Sequence, residues 1–478
     1  MAMGKRPRQR QRSLWVEASR MARGPGHPFY QRLNQLLDQH GFDDFVEQQC
    51  SRFYAETIGR PSLAPAMYFR LLLIGYFEGI DSERGIAWRV ADSISLREFL
   101  GYTLSDSTPD HSTLSRNRRL IDVETHQEVF GWVLKVLSES GLLRAKTLGI
   151  DATTLEANAA LRSIVRRDTG ESYNEFLERL AKESGIETPT RQDLAKLDRH
   201  RKGKGSNEEW QHPYDPGAKI TKMKDGRTHL AHKVEHAVDM ETGAVVAVTI
   251  HGGCDGDSQS FEATLEETAE VLGDVISEPA SADKLSDTPL AEVVADKGYH
   301  SNTVLTTCTE HEIRSYISEP NRGRRNWKGK TEARDATYAN RRRMRGDRGK
   351  ALQRTRGEKI ERTFAHCYDT GGMRRLHLRG HPNILKRLLV HVAGSNLGLL
   401  MRELVGIGKP RVLQGRPAGL FGLLGPLLGP LKALLLAIRL LRSRFQDVVA
   451  YSRLTTATNC QMAILLSRFA ERPFTTGC

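Results

Sequence analysis

The stretch VVADKGYHS, residues 293–301, joins a short apolar run to a carboxylate and then turns at once through Lys297 and Gly298. Apolar residues that are bounded by a glycine turn predict a short buried strand. A carboxylate at the end of such a strand lies where open α/β sheets hold their ligands, so Asp296 is a candidate site residue. Asp before Lys-Gly is also a common turn signature, and the choice depends on the rest of the chain.

A second acidic strand precedes this one. The stretch KTLGID, residues 146–151, predicts a strand that ends on Asp151. The intervening chain predicts a hairpin formed by 229–239 and 243–250, and a helix over 258–274. Residues 291–296 and 312–318 predict two further strands. If the strands that end on Asp151 and Asp296 lie side by side, their carboxylates meet.

A third acid follows in the stretch GEKIERTFAHCYD, residues 357–369, which predicts a helix. Ile360 and Phe364 recur at helical spacing and are expected to bury against the sheet. Glu361 and Glu358 then share a neighbouring stripe, and either can look toward the strand ends. Three gathered carboxylates repel one another, and two Mg²⁺ ions that clamp an in-line phosphoryl displacement are a chemical reason to gather them.

The overall charge indicates a polyanionic partner such as nucleic acid. Lys and Arg total 71 against 58 Asp and Glu, which gives a net charge of +13. Residues 322–356 form a basic tract with Trp327 and Tyr338 interleaved, as phosphate contact with stacking requires, although a solvated linker has the same composition. The candidate DNA-binding residues of this tract are Arg324, Arg325, Arg341, Arg342 and Arg343.

Residues 27–140 predict a compact set of helices. Within them DHSTLSRNRRLI, residues 110–121, predicts a helix that Asp110 or Ser112 caps. Arg116, Arg118 and Arg119 crowd this helix. They indicate either the reading helix of a helix-turn-helix or an ordinary solvated face, and charge alone leaves both open.

The cysteines, the N-terminus and the apolar segments argue against several other classes of protein. Six cysteines without a CxxC pair indicate a reducing compartment, with no zinc knuckle or disulfide framework. The basic N-terminus lacks an apolar h-region, so we expect no secretory signal. Residues 417–438 approach the length of a membrane span, but Pro426 and Pro430 break it, and we expect no membrane contact. No GxxxxGK[ST] loop is present, so we expect no nucleotide cofactor.

Four separated motifs, LGIDATTLEANAA, the stretch from DPGAKITKM to GDSQS, VVADKGYHS and KIERTF, occur in the order found in insertion-sequence transposases of the DDE class. The chain resembles that family over about residues 60–400. The resemblance implies an α/β fold with a ribonuclease-H-like mixed-sheet catalytic core, an N-terminal all-helical domain and a charged insertion. The implied organisation is a basic tail at 1–26, a helical DNA-binding domain at 27–140, a catalytic domain at 141–400 with an insertion at about 161–228, and a tail at 401–478.

By that resemblance Asp151, Asp296 and Glu361 are the catalytic and metal-binding acids, and Lys297 approaches a phosphate. Glu358 is the alternative third acid, because the family's tyrosine and arginine before the glutamate are not cleanly placed.

Arg354 or Arg356 is the nearest match to that arginine. Asp255 and Asp257, near the end of a hairpin strand, are the first alternatives to Asp151, although a turn role is expected of them.

The resemblance also implies an activity. The protein is expected to bind terminal inverted repeats as a homodimer, to cleave DNA with two Mg²⁺ ions, for which Mn²⁺ can substitute, and to join the freed 3′-hydroxyl to target DNA. The expected location is the bacterial cytoplasm, at the nucleoid. Two alternatives are a nuclease that cuts without joining and a catalytically inactive DNA-binding or regulatory relic, which is expected to lack one of the acids.

Overall fold

The computed structural model of the chain describes residues 26–55, 62–201, 205–223, 226–323 and 325–413. Most of the predicted basic tail, the apolar stretch 417–438 and Arg324 lie outside these residues. The helices described are α1 (Pro28–Gln39), α2 (Phe42–Cys50), α3 (Pro65–Glu78), α4 (Glu83–Asp92), α5 (Ile94–Phe99), α6 (His111–Leu120), α7 (Val123–Glu139), α8 (Tyr173–Glu183), α9 (Arg191–His200), α10 (Asp257–Ile276), α11 (Pro279–Ala282), α12 (Asn302–Glu310), α13 (Thr331–Arg345), α14 (Asp347–Phe364) and α15 (His381–Val405). The strands are β1 (Thr147–Glu156), β2 (Val165–Arg166), β3 (Trp210–Gln211), β4 (Lys219–Lys222), β5 (Thr228–Asp239), β6 (Val245–Gly252), β7 (Glu292–Ala295) and β8 (Arg314–Ile317).

The chain before residue 140 is helical, as its sequence predicts. Helix α3 begins with Pro65 in its first turn and ends at Gly79, whose left-handed φ of 69° closes the helix. Helix α4 is capped by Ser82, and α6 by Asp110 rather than by Ser112. These signals fix where the helices begin, and the apolar side chains of α3 pack on nearly all sides of that helix.

The central sheet is mixed, with strand order β4-β5-β1-β7-β8, and β6 pairs with the outer edge of β5 beside β4. Strand β1 runs antiparallel to β5 and parallel to β7, which in turn runs parallel to β8. Helices cover both faces. This mixed sheet with its helical N-terminal region is the α/β, ribonuclease-H-like arrangement that the sequence predicts.

The predicted end of β1 is wrong, because the strand continues five residues past Asp151 to Glu156. Only the parallel ladder with β7 stops there, at the pair Ile150 and Ala295. The antiparallel ladder with β5 keeps the strand extended as far as Glu156. Asp151 therefore lies at the end of one ladder and inside the other, so its backbone is held firmly.

One hydrophobic core joins the helices of 28–139 to the sheet. Helix α15 packs against α3, α7 and β6 and is buried over most of its length. The span His381–Leu413 is the one segment of the described chain that is long and apolar enough to cross a membrane, and 67% of its apolar window is buried inside the protein. Its apolar side chains thus have partners within the fold.

Two charged segments fold into regular elements. The insertion after 160 folds into α8, α9 and the β2–β3 pair around its own small core, in which Trp210 is fully buried. Most of the basic tract 322–356 is not a linker but forms α13 and the first half of α14, on one face of the sheet. The arginines of this tract bond to Ser315 of β8 and to Glu319 just after it, which explains why so dense a positive run can fold.

Candidate active site

Asp151 and Asp296 lie side by side. Each directly follows the last register pair of the parallel ladder, Ile150 with Ala295. Neighbouring strands are about 4.8 Å apart, so the two carboxylates project together on the same face of the sheet. Asp296 also accepts a hydrogen bond from the backbone N–H of Gly298 at 2.7 Å, which fixes its carboxylate at the turn.

Helix α14 covers this face at close range. An added Cβ at Gly149 would lie 2.9 Å from Cδ1 of Ile360, so the glycine permits the approach. The Gln353 side chain donates to the carbonyl oxygens of Ala295 and Tyr316, at 2.9 and 2.7 Å. Helix α14 is thereby fixed across the ends of β7 and β8, beside the acid pair.

Arg356 extends from α14 to the first acid. Its Nη1 lies 2.5 Å from Oδ2 of Asp151, and the two side chains are 16% and 25% exposed. Burial raises the pKa of Asp151, and the nearby Asp296 carboxylate adds to this, whereas the Arg356 guanidinium opposes it. The guanidinium is thus the cation that compensates the acid pair here.

Glu361 lies on the flank of α14 opposite to Lys359. Lys359 Nζ donates to the carbonyl oxygen of Glu241, at the turn beyond the start of β1. Residues two positions apart in an α-helix point about 200° apart around its axis, so the Glu361 side chain points away from the side that Lys359 faces. Glu358 pairs instead with Arg362 in an exposed ion pair of 2.7 Å. Glu361 is itself exposed, and its assignment as the third acid, with Glu358 as the alternative, stays a prediction.

A buried polar network supports the acid pair from the other face of the sheet. Lys233 Nζ lies 2.9 Å from Glu235 and 2.8 Å from Asp257. The Tyr299 hydroxyl donates to Glu235 at 3.0 Å. An added Cβ at Gly298 would lie 2.2 Å from the Asp257 carboxylate, which places that acid against the turn of Asp296.

The sequence prediction missed this network. Its signal was the pair Lys233 and Glu235 on one face of the predicted strand HLAHKVEHAVD. Asp257, expected in a turn and named as an alternative to Asp151, begins α10 beside the site. Asp255 does hold a turn, because it accepts from the Gly252 N–H at 2.8 Å.

The oxygen-only acid pair fits a hard divalent cation such as Mg²⁺ or Mn²⁺. Asp151, Asp296 and Glu361 do not form a three-ligand metal site in this structure. In the described ranges, no group of three or more acidic, histidine or cysteine side chains is arranged to hold a metal. Asp151 and Asp296 are therefore the residues that could hold one cation.

The predicted reading helix has one arginine that is committed to the fold. Arg118 donates to Glu83 and to Asn383 of α15, at 2.7 Å each, and its side chain is only 11% exposed. Arg116 and Arg119 are exposed, and within the described part of the chain they bond only to residues of α6. The three arginines therefore do not act as one surface.

The basic tract is divided in the same way. Arg341 binds Glu319 with two hydrogen bonds of 2.5 and 2.8 Å, and Arg325 lies 3.6 Å from the same carboxylate. Arg343 donates to the Ser315 carbonyl and hydroxyl, and burial lowers its pKa. Arg342 and Lys297 are exposed, as a phosphate contact requires.

Two family models match the chain. The family described as a transposase domain (DUF772) matches residues 17–120. The family described as a transposase DDE domain matches residues 150–397, more than half of the chain, and this match includes both paired acids and Glu361. No curated protein and no solved structure matches it. With the acid pair, these matches show that the chain belongs to the DDE transposase family of insertion sequences.

Proposed function

We propose that this chain binds the terminal inverted repeats of an insertion sequence, cleaves DNA at the ends of the element and transfers the cut strand to target DNA. The observation that carries the proposal is the pairing of Asp151 with Asp296 at the end of the parallel ladder. Two carboxylates held so close need a cation, and phosphoryl transfer is a chemistry that uses such cations.

In the proposed reaction Asp151 and Asp296 would hold a divalent cation, with Glu361 as the third ligand. Bound Mg²⁺ or Mn²⁺, two ions in the full set, would supply a nucleophile near neutral pH and neutralise phosphate charge. Arg356 then turns from Asp151 toward the scissile phosphate, and exposed Lys297 contacts the neighbouring one. The protein contributes mainly position and charge.

The same proposal assigns DNA contact to exposed basic side chains. Arg116 and Arg119 on α6, with Arg342 on α13, are exposed and can approach phosphates. The net charge of +13 adds a long-range electrostatic attraction to DNA. We assign end binding to the helical region 27–140 and chemistry to 141–400. Concerted cutting of two ends further favours a homodimer that acts at the bacterial nucleoid.

The test is cleavage of a labelled duplex that carries the element's own inverted repeat, in Mg²⁺ and in EDTA. Asp296→Asn keeps the size of the side chain but removes a negative ligand, so we expect nicking to fall at least about a thousandfold while DNA binding stays within about twofold. Glu361→Gln should fall comparably. Glu358→Gln is the matched control on the same helix and should cut normally.

Each alternative predicts a different outcome. Metal-dependent nicking without joined products would favour a nuclease of the same core. Repeat binding without any cutting by the wild-type protein would favour a regulatory relic and would refute the proposed chemistry. Equal cutting by Asp296→Asn and wild type would remove the acid pair from the reaction altogether.

A further inference from the structure

An arginine to which the proposed function gives no role lies next to the acid pair. Arg374, in the segment between α14 and α15, donates from Nη1 to the Thr153 hydroxyl at 3.0 Å. Thr153 and Asp151 are two residues apart on β1, so their side chains project from the same face of the sheet, about 7 Å apart along the strand. The Arg374 guanidinium therefore lies on the face that carries the acids, beside Asp151.

This guanidinium is accessible to a ligand. The Arg374 side chain is 45% exposed, whereas Thr153 beneath it is 5% exposed. A guanidinium has five N–H groups. The contacts to Thr153 and to Asp369 use one N–H each on Nε, Nη1 and Nη2, which leaves two without a partner in the part of the chain that the structure describes. Arginine N–H groups of this kind are strong donors to phosphate oxygens.

The guanidinium is also held in one orientation. The Asp369 carboxylate accepts from its Nε at 2.5 Å and from its Nη2 at 3.3 Å, and the Tyr368 ring centroid lies 5.9 Å from its Cζ. Both residues belong to a π-helix, Ala365–Asp369, that follows α14, and π-helical turns are rare and frequent at functional sites. The backbone is fixed as well, because the Glu156 N–H donates to the Arg374 carbonyl at 3.1 Å. A group that is ordered before its ligand arrives loses less entropy on binding.

The edge of β1 between the acid pair and this guanidinium is open. The parallel ladder with β7 ends at Ile150, and pairing on that edge resumes only at Glu156, through a parallel bridge to Arg375. Strand β5 occupies the other edge of β1 throughout this stretch. In the described ranges no strand pairs with residues 151–155 on the side of β7. The acid pair and the Arg374 guanidinium thus flank an edge of the sheet that no strand covers.

The next residue provides a matched comparison. The Arg375 side chain is 66% exposed, and its Nε lies 3.7 Å from the Glu156 carboxylate. Successive side chains of a strand point to opposite faces, so Glu156 projects from the face of β1 that Asp151 does not share. Arg374 and Arg375 therefore carry the same charge at the same place along the chain but lie on opposite faces of the sheet.

We propose that Arg374 binds a phosphate of the DNA substrate next to the scissile one. The inference rests on the proposed function, which brings the scissile phosphate to Asp151 and Asp296. Arg374 is then a substrate-binding residue, and Tyr368 and Asp369 are positioning residues that orient its guanidinium toward the open edge. The alternative, an ion pair with Asp369 that serves only the fold, predicts no response of DNA binding to the charge of Arg374.

The first experiment measures binding of the full chain to an inverted-repeat duplex in EDTA over a range of salt concentrations. Arg374→Met should weaken binding about tenfold and reduce the slope of log K against log salt by about one. Arg375→Met removes the same charge from the other face and should change binding by less than about twofold, with the slope unchanged. Arg374→Lys keeps the charge without the planar fork, so it should keep the slope and lose part of the affinity.

The outcome that overturns the site is an equal effect of Arg374→Met and Arg375→Met on affinity and slope. Thermal unfolding of the free proteins should place both variants within about 3 °C of wild type, because each loses an exposed ion pair. A wild-type chain that binds no repeat would refute the proposed function and this site with it. A chain that binds the repeat but is indifferent to Arg374 would refute this site alone.

The second experiment uses inverted-repeat duplexes that carry one neutral methylphosphonate at successive positions around the cut. Wild-type binding should weaken about tenfold at a position next to the cut, and Arg375→Met should show the same loss. Arg374→Met should not respond to that substitution, because the contact is already absent. No position-specific loss in wild type, or the same loss in Arg374→Met, refutes the assignment. Both measurements need neither metal nor cleavage, so failure of the proposed chemistry would not imitate failure of this site.

Discussion

Removal of Arg356 tests how the acid pair is held together without metal. We compare wild type, Arg356→Met, Asp151→Asn and the double variant by chemical denaturation in EDTA. The change to methionine keeps much of the apolar bulk and deletes the charge that lies 2.5 Å from Asp151. The single variant then leaves two adjacent carboxylates without their cation, whereas the double variant leaves neither the cation nor the first carboxylate.

The expected coupling follows from the geometry. With charge centres about 4 Å apart and an effective dielectric constant of about 20, the attraction is about 4 kcal/mol. Both side chains keep contact with water, at 16% and 25% exposure, and desolvation opposes the attraction. We therefore expect a coupling free energy of about 2 kcal/mol between Arg356 and Asp151. Arg356→Met should lose about that much unfolding free energy, and the added Asp151→Asn should restore most of it.

Adding divalent cations to the same four proteins gives a second test. If the acid pair takes a cation, Mg²⁺ or Mn²⁺ should stabilise Arg356→Met more than wild type, because no guanidinium competes for Asp151. The Asp151→Asn background should lose that gain. A coupling below about 0.5 kcal/mol would refute the view that Arg356 compensates the pair, and equal stabilisation of all four proteins by the metal would refute cation binding by these acids.

Further predictions address stability and DNA contact. Burial lowers the pKa of His126 to about 3, below its unfolded value of 6.5, so unfolding takes up a proton between these pH values. The free energy of unfolding should therefore fall by about 1 kcal/mol from pH 6.5 to 5.5. His126→Gln should reduce that slope when denaturation is measured as a function of pH. Gly298→Ala pushes a methyl group into the acids beside it, so cleavage should fall at least about tenfold while Gly357→Ala, which meets nothing within 4 Å, cuts normally. Arg341→Ala should cost about 1 kcal/mol in denaturation through its glutamate partner, whereas Arg342→Ala should weaken DNA binding in a salt titration and leave stability unchanged.

The strands that lead to the two acids could be predicted because they depend on local pattern, whereas their pairing was expected only if the two strands lay side by side, as the family resemblance implies. Apolar runs that end in Asp151 and Asp296, a hairpin between them and a helical stripe at Ile360 each have a period that the sequence displays. The structure confirms the strands, the hairpin and the burial of Ile360. The true end of β1 was missed, because it is decided by pairing with β5 and not by residues near Asp151.

The partners of the charged side chains could not be predicted. Arg118 and Arg119 are neighbours of the same type, and only the tertiary fold commits the first to Glu83 and leaves the second exposed. A positive run in the sequence therefore overstates the surface that is available to DNA. Lys233 shows the opposite case. Its sequence context predicts only a place in a strand, yet its side chain lies in the charged network beneath the acid pair.

At the acid pair Arg356 supplies a positive charge that a bound cation would otherwise provide. In the proposed reaction, DNA that enters with its metal ions would bring a cation to the acids and a phosphate to the guanidinium. Substrate binding should therefore release Arg356 from Asp151, so that the same arginine compensates the acids before DNA arrives and the phosphate afterwards.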